Sequence, residues 1–336
     1  MSPYSQAGFR VRCEWGPAGA KAVGSGTTIV AVVDVLSFTT SLTVAADRGI
    51  EVFPFRWRDE RAVAFAAGHR ATLAVGRSQV GPDHPVSLSP ATIRSASGIE
   101  RLVLPSPNGS AIARILAEQG ATVIGVSLRN ARAAAAWTAR HLRPTSGTGP
   151  GCPDLAATTA GITAPAGITV PNGIIPPAAI TAPDGITAAG VINPPAGITV
   201  PDGSTAPGGI TAVDGNAAVD GEITVAVIPA GERWLEDGSL RPAAEDLWGA
   251  GAFIAGLVDE GVCGLSPEAQ ATVAAYRQAA TDIPTALHDC AGGRELTAFG
   301  FPEDVAIAAE LNSSDVVPLL TGDSFRPAAA RGPGKP

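Results

Sequence analysis

Aromatic side chains are scarce in this sequence, since Phe, Trp and Tyr make up only 5% of its 336 residues. The apolar share of 45% therefore comes mainly from Ala, Val, Ile and Leu, and a chain of this length can bury a large core with them. Basic residues are also the minority, with 23 Lys and Arg against 31 Asp and Glu. A general nucleic-acid or anionic-membrane surface is therefore disfavoured, and a small anionic ligand would need a local cation or metal.

Cysteine is rare as well, and Cys13, Cys152, Cys263 and Cys290 are widely spaced with no C-x-x-C pair. This spacing indicates neither a disulfide framework nor a structural zinc site, so we expect free thiols in a reducing compartment. The first residues show no apolar stretch typical of a signal peptide. No apolar run approaches the roughly 20 residues that cross a membrane. We therefore expect a cytoplasmic protein.

Several familiar catalytic motifs are missing. The sequence contains no G-x-x-x-x-G-K-[ST], no G-x-G-x-x-G after a strand, no G-x-S-x-G and no H-E-x-x-H. Its four histidines, His69, His84, His141 and His288, are scattered along the chain. The sequence therefore predicts neither a nucleotide-binding loop nor a histidine-based metal cluster or triad.

Short β-branched runs alternate with Ala-rich amphipathic stretches between residues 27 and 142, a pattern that predicts βαβ units and a largely parallel sheet. The pattern resumes after residue 221. Predicted strands cover residues 27–35, 51–55, 71–76, 101–105, 121–127, 222–231 and 316–320. Predicted helices cover residues 37–49, 59–70, 110–120, 130–142, 242–260, 267–279 and 302–311.

A tandem hexapeptide of the form G-I-T-x-P-x interrupts this pattern, with Gly recurring every six or twelve residues from Gly161 to Gly221. A left-handed β-helix and a low-complexity insertion both use such repeats. Because Pro in most units removes backbone donors, the sequence favours a disordered or weakly ordered insertion. The predicted organisation is an α/β domain in two parts, residues 1–150 and 222–325, with the insertion at 151–221 and a tail at 326–336.

The first junction with a candidate chemical role follows the strand at residues 27–35. Asp34 ends this strand, and Ser37, Thr39 and Thr40 open the next helix. Ligands of open α/β sheets bind beyond the carboxyl ends of strands, where such residues gather. The hydroxyl groups can cap the helix or, together with backbone N–H groups, bind a phosphate.

Two further junctions have a similar composition. Asn108 and Gly109 form a predicted tight turn before Ser110 opens a helix, and such a turn can hold an oxyanion or be an ordinary turn. After the strand at 121–127, Arg129 offers a fork-shaped donor suited to phosphate, sulfonate or carboxylate. Both junctions are therefore candidate anion-binding sites.

Acidic residues at the fourth junction suggest a metal. Glu232 follows the strand at 222–231, and Glu245 and Asp246 begin a later helix. Mg²⁺ prefers one or two carboxylates and keeps several waters. Neighbours on a helix point about 100° apart, so Glu245 and Asp246 do not both face one ion. We predict Asp34 and Asp246 as the Mg²⁺ ligands.

An ordered set of motifs lies between residues 27 and 320, outside the repeat: V-V-D-V-L-S-F-T-T-S, V-S-L-S-P, L-P-S-P-N-G-S, S-L-R-N-A, and A-G-E-R-W followed by R-P-A-A-E-D-L-W-G-A-G. The set resembles the 2-phosphosulfolactate phosphatase family. The resemblance implies a three-layer α/β/α sandwich with a largely parallel or mixed sheet. It also implies Mg²⁺-dependent hydrolysis of (2R)-phospho-3-sulfolactate to sulfolactate and phosphate, a step in coenzyme M synthesis.

The motif positions that match the family are Asp34, Asn108, Gly109, Asn130, Asp246 and Gly251. With the junctions described above, they define the candidate site. The predicted catalytic residues are Asp34, Asn108, Asn130 and Glu232. The predicted substrate-binding residues are Ser37, Thr39, Thr40, Arg77, Gly109, Ser110 and Arg129.

Two positions depart from the family pattern, since Arg77 stands where the family has Glu and Leu88 where it has Asn. Exchanging an acid for a cation can alter metal binding or shift the substrate. It favours a second hypothesis, a non-catalytic binding or regulatory protein for a small phosphorylated or sulfonated acid. A third hypothesis makes the hexapeptide tract a partner-binding stalk. The sequence leaves a homo-oligomer open.

Overall fold

One mixed β-sheet with helices on both faces forms the frame of the protein in the computed structural model, which describes residues 2–56, 60–142 and 223–328. The predicted insertion at 151–221 lies outside the described residues, as do residues 329–336 of the predicted tail. The described strands are β1 (Val11–Cys13), β2 (Ile29–Val33), β3 (Glu51–Phe55), β4 (Thr72–Leu73), β5 (Arg101–Pro105), β6 (Thr122–Val126), β7 (Val225–Pro229), β8 (Glu232–Arg233), β9 (Leu240–Arg241), β10 (Pro318–Thr321) and β11 (Ser324–Pro327). The described α-helices are α1 (Gly16–Gly24), α2 (Phe38–Asp47), α3 (Glu60–His69), α4 (Pro90–Ser95), α5 (Gly109–Glu118), α6 (Ala131–Leu142), α7 (Ala244–Asp259), α8 (Pro267–Ala279), α9 (Ile283–Asp289), α10 (Ala291–Ala298) and α11 (Pro302–Ala308).

The described strands of the sheet follow the order β1-β7-β2-β6-β10-β11-β3-β5-β4. β1, β7, β2 and β6 pair in parallel, and so do β3, β5 and β4. The antiparallel hairpin β10–β11 lies between these two groups and pairs with β6 on one side and β3 on the other. β8 and β9 form a separate antiparallel pair. The sheet is therefore mixed, because a hairpin late in the chain inserts between two parallel groups.

The alternation of buried residues along β2 explains why helices cover both faces of the sheet. Ile29, Ala31 and Val33 pack into a core shared with α6, α7 and α8. Val30 and Val32 point to the other face and pack with α1, α2 and α5. A strand buried on both faces is typical of a sheet between two helical layers. The predicted three-layer α/β/α sandwich is confirmed.

Each predicted strand and helix outside the insertion is present, with ends that differ by a few residues. The prediction missed β1, α1, α4, β8, β9, α9, α10 and β11. In α10 the cause is visible, because Gly292 and Gly293 are poor helix formers. A Cβ on Gly292 would collide with the Glu245 side chain, and one on Gly293 with the Leu287 carbonyl oxygen. Close packing therefore requires glycine at these two positions of α10, and the glycines are the reason why the sequence did not predict a helix there.

Two further expectations concern membranes and thiols. Within the ranges given above, no helix combines the length and the apolar composition that crossing a bilayer requires. Cys13 and Cys290 are buried free thiols, as predicted. Burial raises the pKa of each to about 12, so both are inert thiols at neutral pH. The prediction of free thiols is wrong for Cys263, which is disulfide-bonded.

Candidate active site

A cavity of about 580 Å³ lies where the loops after β2, β5 and β7 meet. These are carboxyl ends of strands, the position at which open α/β sheets bind ligands. The described residues that line the cavity are Asp34, Leu36, Ser37, Phe38, Gly76, Arg77, Ser78, Leu88, Leu104, Pro105, Ser106, Pro107, Asn108, Glu232, Gly292, Glu295, Leu296, Phe299 and Phe301.

Asp34 lies between the first residues of two helices. Its carboxylate accepts the Phe38 N–H of α2 at 3.2 Å from Oδ1 and the Gly109 N–H of α5 at 2.9 Å from Oδ2. The Ser106 hydroxyl donates to Oδ2 at 3.4 Å. The positive ends of both helix dipoles therefore point towards one buried carboxylate, and they stabilise its negative charge.

Glycine at position 109 makes this approach possible. A Cβ there would lie 2.7 Å from Asp34 Oδ2 and would also collide with the Phe38 ring. Any side chain at residue 109 would push the first turn of α5 away from Asp34. The N-G dipeptide, predicted as a tight turn, thus sets the distance between α5 and the loop after β2.

Glu232 brings a second carboxylate to the cavity. Its Oε2 accepts the Asn108 side-chain amide at 3.0 Å. Burial raises the pKa of Glu232 to about 7, and the negative charges of Asp34 and Glu245 add to the effect, while Arg241 and the Asn108 bond oppose it. A carboxyl group with this pKa exchanges protons at neutral pH, as a general acid or base must.

Asp246 belongs to the same acidic cluster but does not line the cavity. Its two oxygens accept backbone N–H groups, Val35 at 2.7 Å and Gly231 at 2.9 Å. Burial raises its pKa well above the usual range, with further contributions from the charges of Asp34 and Glu245. Asp246 therefore ties the first turn of α7 to the loops after β2 and β7.

Asp34, Glu232, Glu245 and Asp246 form an acidic cluster. The charge and position of these carboxylates decide whether they fit the Mg²⁺ that the family resemblance implies. Mutual repulsion within the cluster means that a divalent cation would relieve unfavourable charge. Among the described residues, no group of three or more Asp, Glu, His or Cys side chains is arranged to hold a metal. Mg²⁺ needs only one or two carboxylates, with water and phosphate as the other ligands. Asp34 and Glu232, which line the cavity, fit this requirement better than Asp246.

Arg77 lines the cavity beside the start of α2. Its Nε donates to Asp304 Oδ2 at 2.7 Å, and its Nη2 donates to the Ser37 hydroxyl at 2.7 Å. The guanidinium carbon lies 5.7 Å from the centre of the Phe301 ring. Asp304 is 1% exposed and also accepts the Ser89 hydroxyl. These contacts fix the guanidinium plane, and among the described residues Nη1 has no hydrogen-bond acceptor.

Three predicted hydroxyl ligands lie behind the cavity wall instead of on it. Thr39 Oγ1 donates to the Asp34 carbonyl oxygen at 2.8 Å, and Thr40 Oγ1 donates to the Val35 carbonyl oxygen at 2.7 Å. Ser110 Oγ donates to the Leu104 carbonyl oxygen at 3.2 Å. All three side chains are buried and hold the loops that present the lining residues.

Arg129 and Asn130 lie away from the cavity. Arg129 pairs with Asp47 at 2.8 Å and with Glu310. The Asn130 side-chain amide donates to the Gly125 and Val316 carbonyl oxygens, each at 3.1 Å. The structure thus places these two residues in contacts that join β6 to the segment before β10. It does not bring them together with Asp34.

One wall of the cavity comes from residues that the sequence analysis did not single out. Glu295 and Leu296 lie on α10, and Phe299 and Phe301 lie in the turn after it. The signal in the sequence was the close spacing of two aromatic residues in a chain poor in aromatics. Ser106 was visible within the L-P-S-P-N-G-S motif, but its bond to Asp34 depends on the tertiary fold.

One comparison with known proteins agrees with the last of the motifs, A-G-E-R-W followed by R-P-A-A-E-D-L-W-G-A-G. A family model described as 2-phosphosulpholactate phosphatase matches residues 214–323. The matched segment contains Glu232, Asp246, the α10 wall and Asp304, whereas Asp34, Arg77 and Asn108 precede it. No curated protein is recognisably similar to the chain. The match over residues 214–323 confirms the resemblance to the 2-phosphosulfolactate phosphatase family.

Proposed function

We propose that this protein is a cytoplasmic phosphatase that hydrolyses a 2-phospho acid to the hydroxy acid and inorganic phosphate. The substrate that the family resemblance implies, 2-phosphosulfolactate on the route to coenzyme M, is the reference compound of this class. The observation that supports this function is the convergence of two helix N-termini, Asp34, Asn108, Glu232 and Arg77 on one cavity. Hydrolysis of a 2-phospho acid requires positive charge near the phosphate, a side chain that accepts and releases protons, and a hydrogen-bond donor for the carboxylate of the acid.

The beginnings of α2 and α5 would bind the phosphoryl group. The Phe38 and Gly109 N–H groups are already bonded to Asp34, so the two helix ends would attract the phosphate through their dipoles. Because Asp34 adds a negative charge at the same place, extra positive charge is needed there. Asp34 would hold Mg²⁺, with Glu232 beside it, and the ion would supply charge neutralisation of the phosphate.

Glu232 would accept the proton of the attacking water. It lines the cavity, and within the described residues no hydrogen bond occupies its Oε1. Asn108 holds the other oxygen and thereby orients the carboxylate. The new bond joins the water oxygen to phosphorus, and the bond from phosphorus to the hydroxy-acid oxygen breaks. The oxygen of the departing hydroxy acid takes up a proton.

Arg77 would bind the carboxylate of the acid. Its Nε and Nη2 are held by Asp304 and Ser37, so the guanidinium is oriented before a ligand arrives. A donor that is already oriented loses little side-chain entropy on binding.

A binding or regulatory protein is the second candidate. It is favoured by Arg77, a cation that lines the cavity at the position where the family has Glu. Such a protein would bind a small phosphorylated or sulfonated acid at Arg77 without turning it over.

Phosphate release from a panel of 2-phospho acids, measured with Mg²⁺ and with EDTA, separates the two functions. We expect release that depends on Mg²⁺. Equal release in EDTA would remove the metal from the proposal. Tight binding of a panel member without any release would support the binding protein.

A further inference from the structure

We propose that the substrate carries an apolar group where 2-phosphosulfolactate carries its sulfonate. Five apolar residues that line the cavity would contact this group, and they are called the apolar wall below: Leu36, Leu88, Leu296, Phe299 and Phe301. The inference rests on the proposed phosphatase function, and it names the class of 2-phospho acid that the cavity accepts.

The charge of the cavity is the first reason. The charged side chains among its described lining residues are Asp34, Glu232, Glu295 and Arg77, which are three acids and one base. Phosphosulfolactate carries a phosphate, a carboxylate and a sulfonate. The helix starts serve the phosphate, and Arg77 can serve one further anion. The third anionic group would have no counter-charge among these residues, and leaving a charge unpaired on desolvation is costly.

The existing partner of Arg77 strengthens this argument. Asp304 is 1% exposed and lies 2.7 Å from Arg77 Nε, so the guanidinium charge is already partly neutralised. Arg77 can still donate a hydrogen bond to a carboxylate, but it cannot balance both a carboxylate and a sulfonate. A substrate with one acid group besides its phosphate fits this donor.

The exposed apolar surface of the wall, and its position beside Arg77, are the second reason. Phe299 is 68% exposed although it lines the cavity, which leaves a large apolar surface open to a ligand. Phe301 has the Arg77 guanidinium over its ring, and this arrangement brings the apolar wall next to the acid-binding donor. The group attached to the carbon next to the carboxylate would therefore meet leucine and phenylalanine side chains. An aromatic or branched aliphatic group would bury this surface.

Three substrates that differ at one carbon test the inference on the full-length protein with Mg²⁺: 2-phospholactate, 2-phospho-3-phenyllactate and 2-phospho-3-sulfolactate. We expect kcat/KM to be highest for the phenyl compound, by about tenfold or more over the sulfonate. Calorimetric affinities for 3-phenyllactate and 3-sulfolactate, each with phosphate present, should follow the same order. Preference for the sulfonate in turnover would overturn the inference and leave the phosphatase function intact. Inactivity towards all three substrates would overturn the phosphatase function, and the two calorimetric affinities would then decide the inference.

Variants of the wall make the test specific. Phe299→Ala should lower the ratio of kcat/KM for the phenyl compound to that for 2-phospholactate by about fivefold to tenfold. Leu235 is fully exposed on the β8–β9 turn and does not line the cavity, so Leu235→Ala is the matched control and should leave the ratio unchanged. Phe299→Arg should raise turnover of the sulfonate relative to the phenyl compound. An unchanged ratio in both Phe299 variants would show that the wall does not touch the substrate.

Discussion

The carboxylate of Asp34 accepts the backbone N–H of Gly109, with 2.9 Å between Oδ2 and the amide nitrogen. This bond joins the loop after β2 to the start of α5. Because a Cβ on residue 109 would lie 2.7 Å from Oδ2, we expect Gly109→Ala to shift α5 and weaken this contact. The variant should lose about 1–3 kcal/mol of unfolding free energy, as overpacked sites do, together with most of its activity.

Gly68 provides the matched control for this glycine. It lies in α3, and a Cβ there would meet no atom within 4 Å. Gly68→Ala should therefore raise the unfolding free energy by about 0.5–1 kcal/mol through helix propensity and leave activity unchanged. Denaturant titration and phosphate release measure both effects. Full activity in Gly109→Ala would show that the Asp34–Gly109 distance is not critical.

Glu232→Gln should remove most turnover, by about a hundredfold or more, because the amide cannot accept a proton. In the parent protein, activity should fall as pH drops below the pKa of Glu232, about 7 in the protein without metal. Mg²⁺ favours the charged carboxylate, so the midpoint measured with Mg²⁺ should lie at or below that value. If the residual activity of Glu232→Gln falls at acidic pH in the same way as that of the parent, another group is responsible for the pH dependence.

The same pKa predicts how stability depends on pH. Burial and neighbouring acids raise the pKa of Glu232 to about 7, so its folded state holds a proton that the unfolded state releases near its ordinary value. This contribution is present at acidic pH and is lost as pH rises through 7. Glu232→Gln should therefore gain Tm over the parent at pH 8 and little at pH 4. Glu236→Gln, an exposed change on the same turn, should shift Tm at neither pH.

Asp246→Ala should act on folding and not on the demand for Mg²⁺. Its removal leaves the buried Val35 and Gly231 N–H groups without their acceptor, at a cost of about 1–3 kcal/mol for each group. We expect a lower Tm and an unchanged Mg²⁺ concentration for half-maximal activity. Asp34→Asn, in comparison, should raise that concentration. A strongly increased Mg²⁺ demand in Asp246→Ala with Tm preserved would support the prediction that Asp246 binds the metal.

The Arg77–Asp304 ion pair should show a larger coupling energy than an exposed pair. Its side chains are 19% and 1% exposed, against 37% and 58% for Arg114–Asp323. A double-mutant cycle with Arg77→Met and Asp304→Asn should give about 1–3 kcal/mol. The matched cycle on Arg114 and Asp323 should give about 0–1 kcal/mol. Equal coupling in the two cycles would mean that burial does not strengthen the Arg77 pair.

Arg77→Met should also raise KM for a 2-phospho acid more than it lowers kcat, because the lost donor serves ground-state binding of the carboxylate. Steady-state kinetics on 2-phospholactate measure this split. An unchanged KM would remove Arg77 from substrate binding and leave it only its structural contacts with Asp304 and Ser37.

Local periodicity was sufficient to predict most of the fold. The apolar run before Asp34 predicts β2 because β-branched residues pack well in a strand buried on both faces. Ala-rich amphipathic stretches predicted α6 and α8 closely. The sequence also indicated Asp34, Asn108 and Glu232 as residues at the ends of strands, since turn residues and acids follow apolar runs there.

Only the tertiary structure decided which of these residues meet. Arg129 and Asn130 occupy a strand end like that of Asp34, yet Arg129 pairs with Asp47 and Glu310, and Asn130 bonds backbone carbonyl groups. The insertion of β10–β11 between two parallel groups and the packing of α10 depend on contacts between residues far apart in the chain. Local sequence specifies which backbone conformation and which face a residue prefers. Distances such as that between Gly109 and Asp34 arise only when separate segments pack together, so the position of each side chain relative to the cavity was decided by the fold.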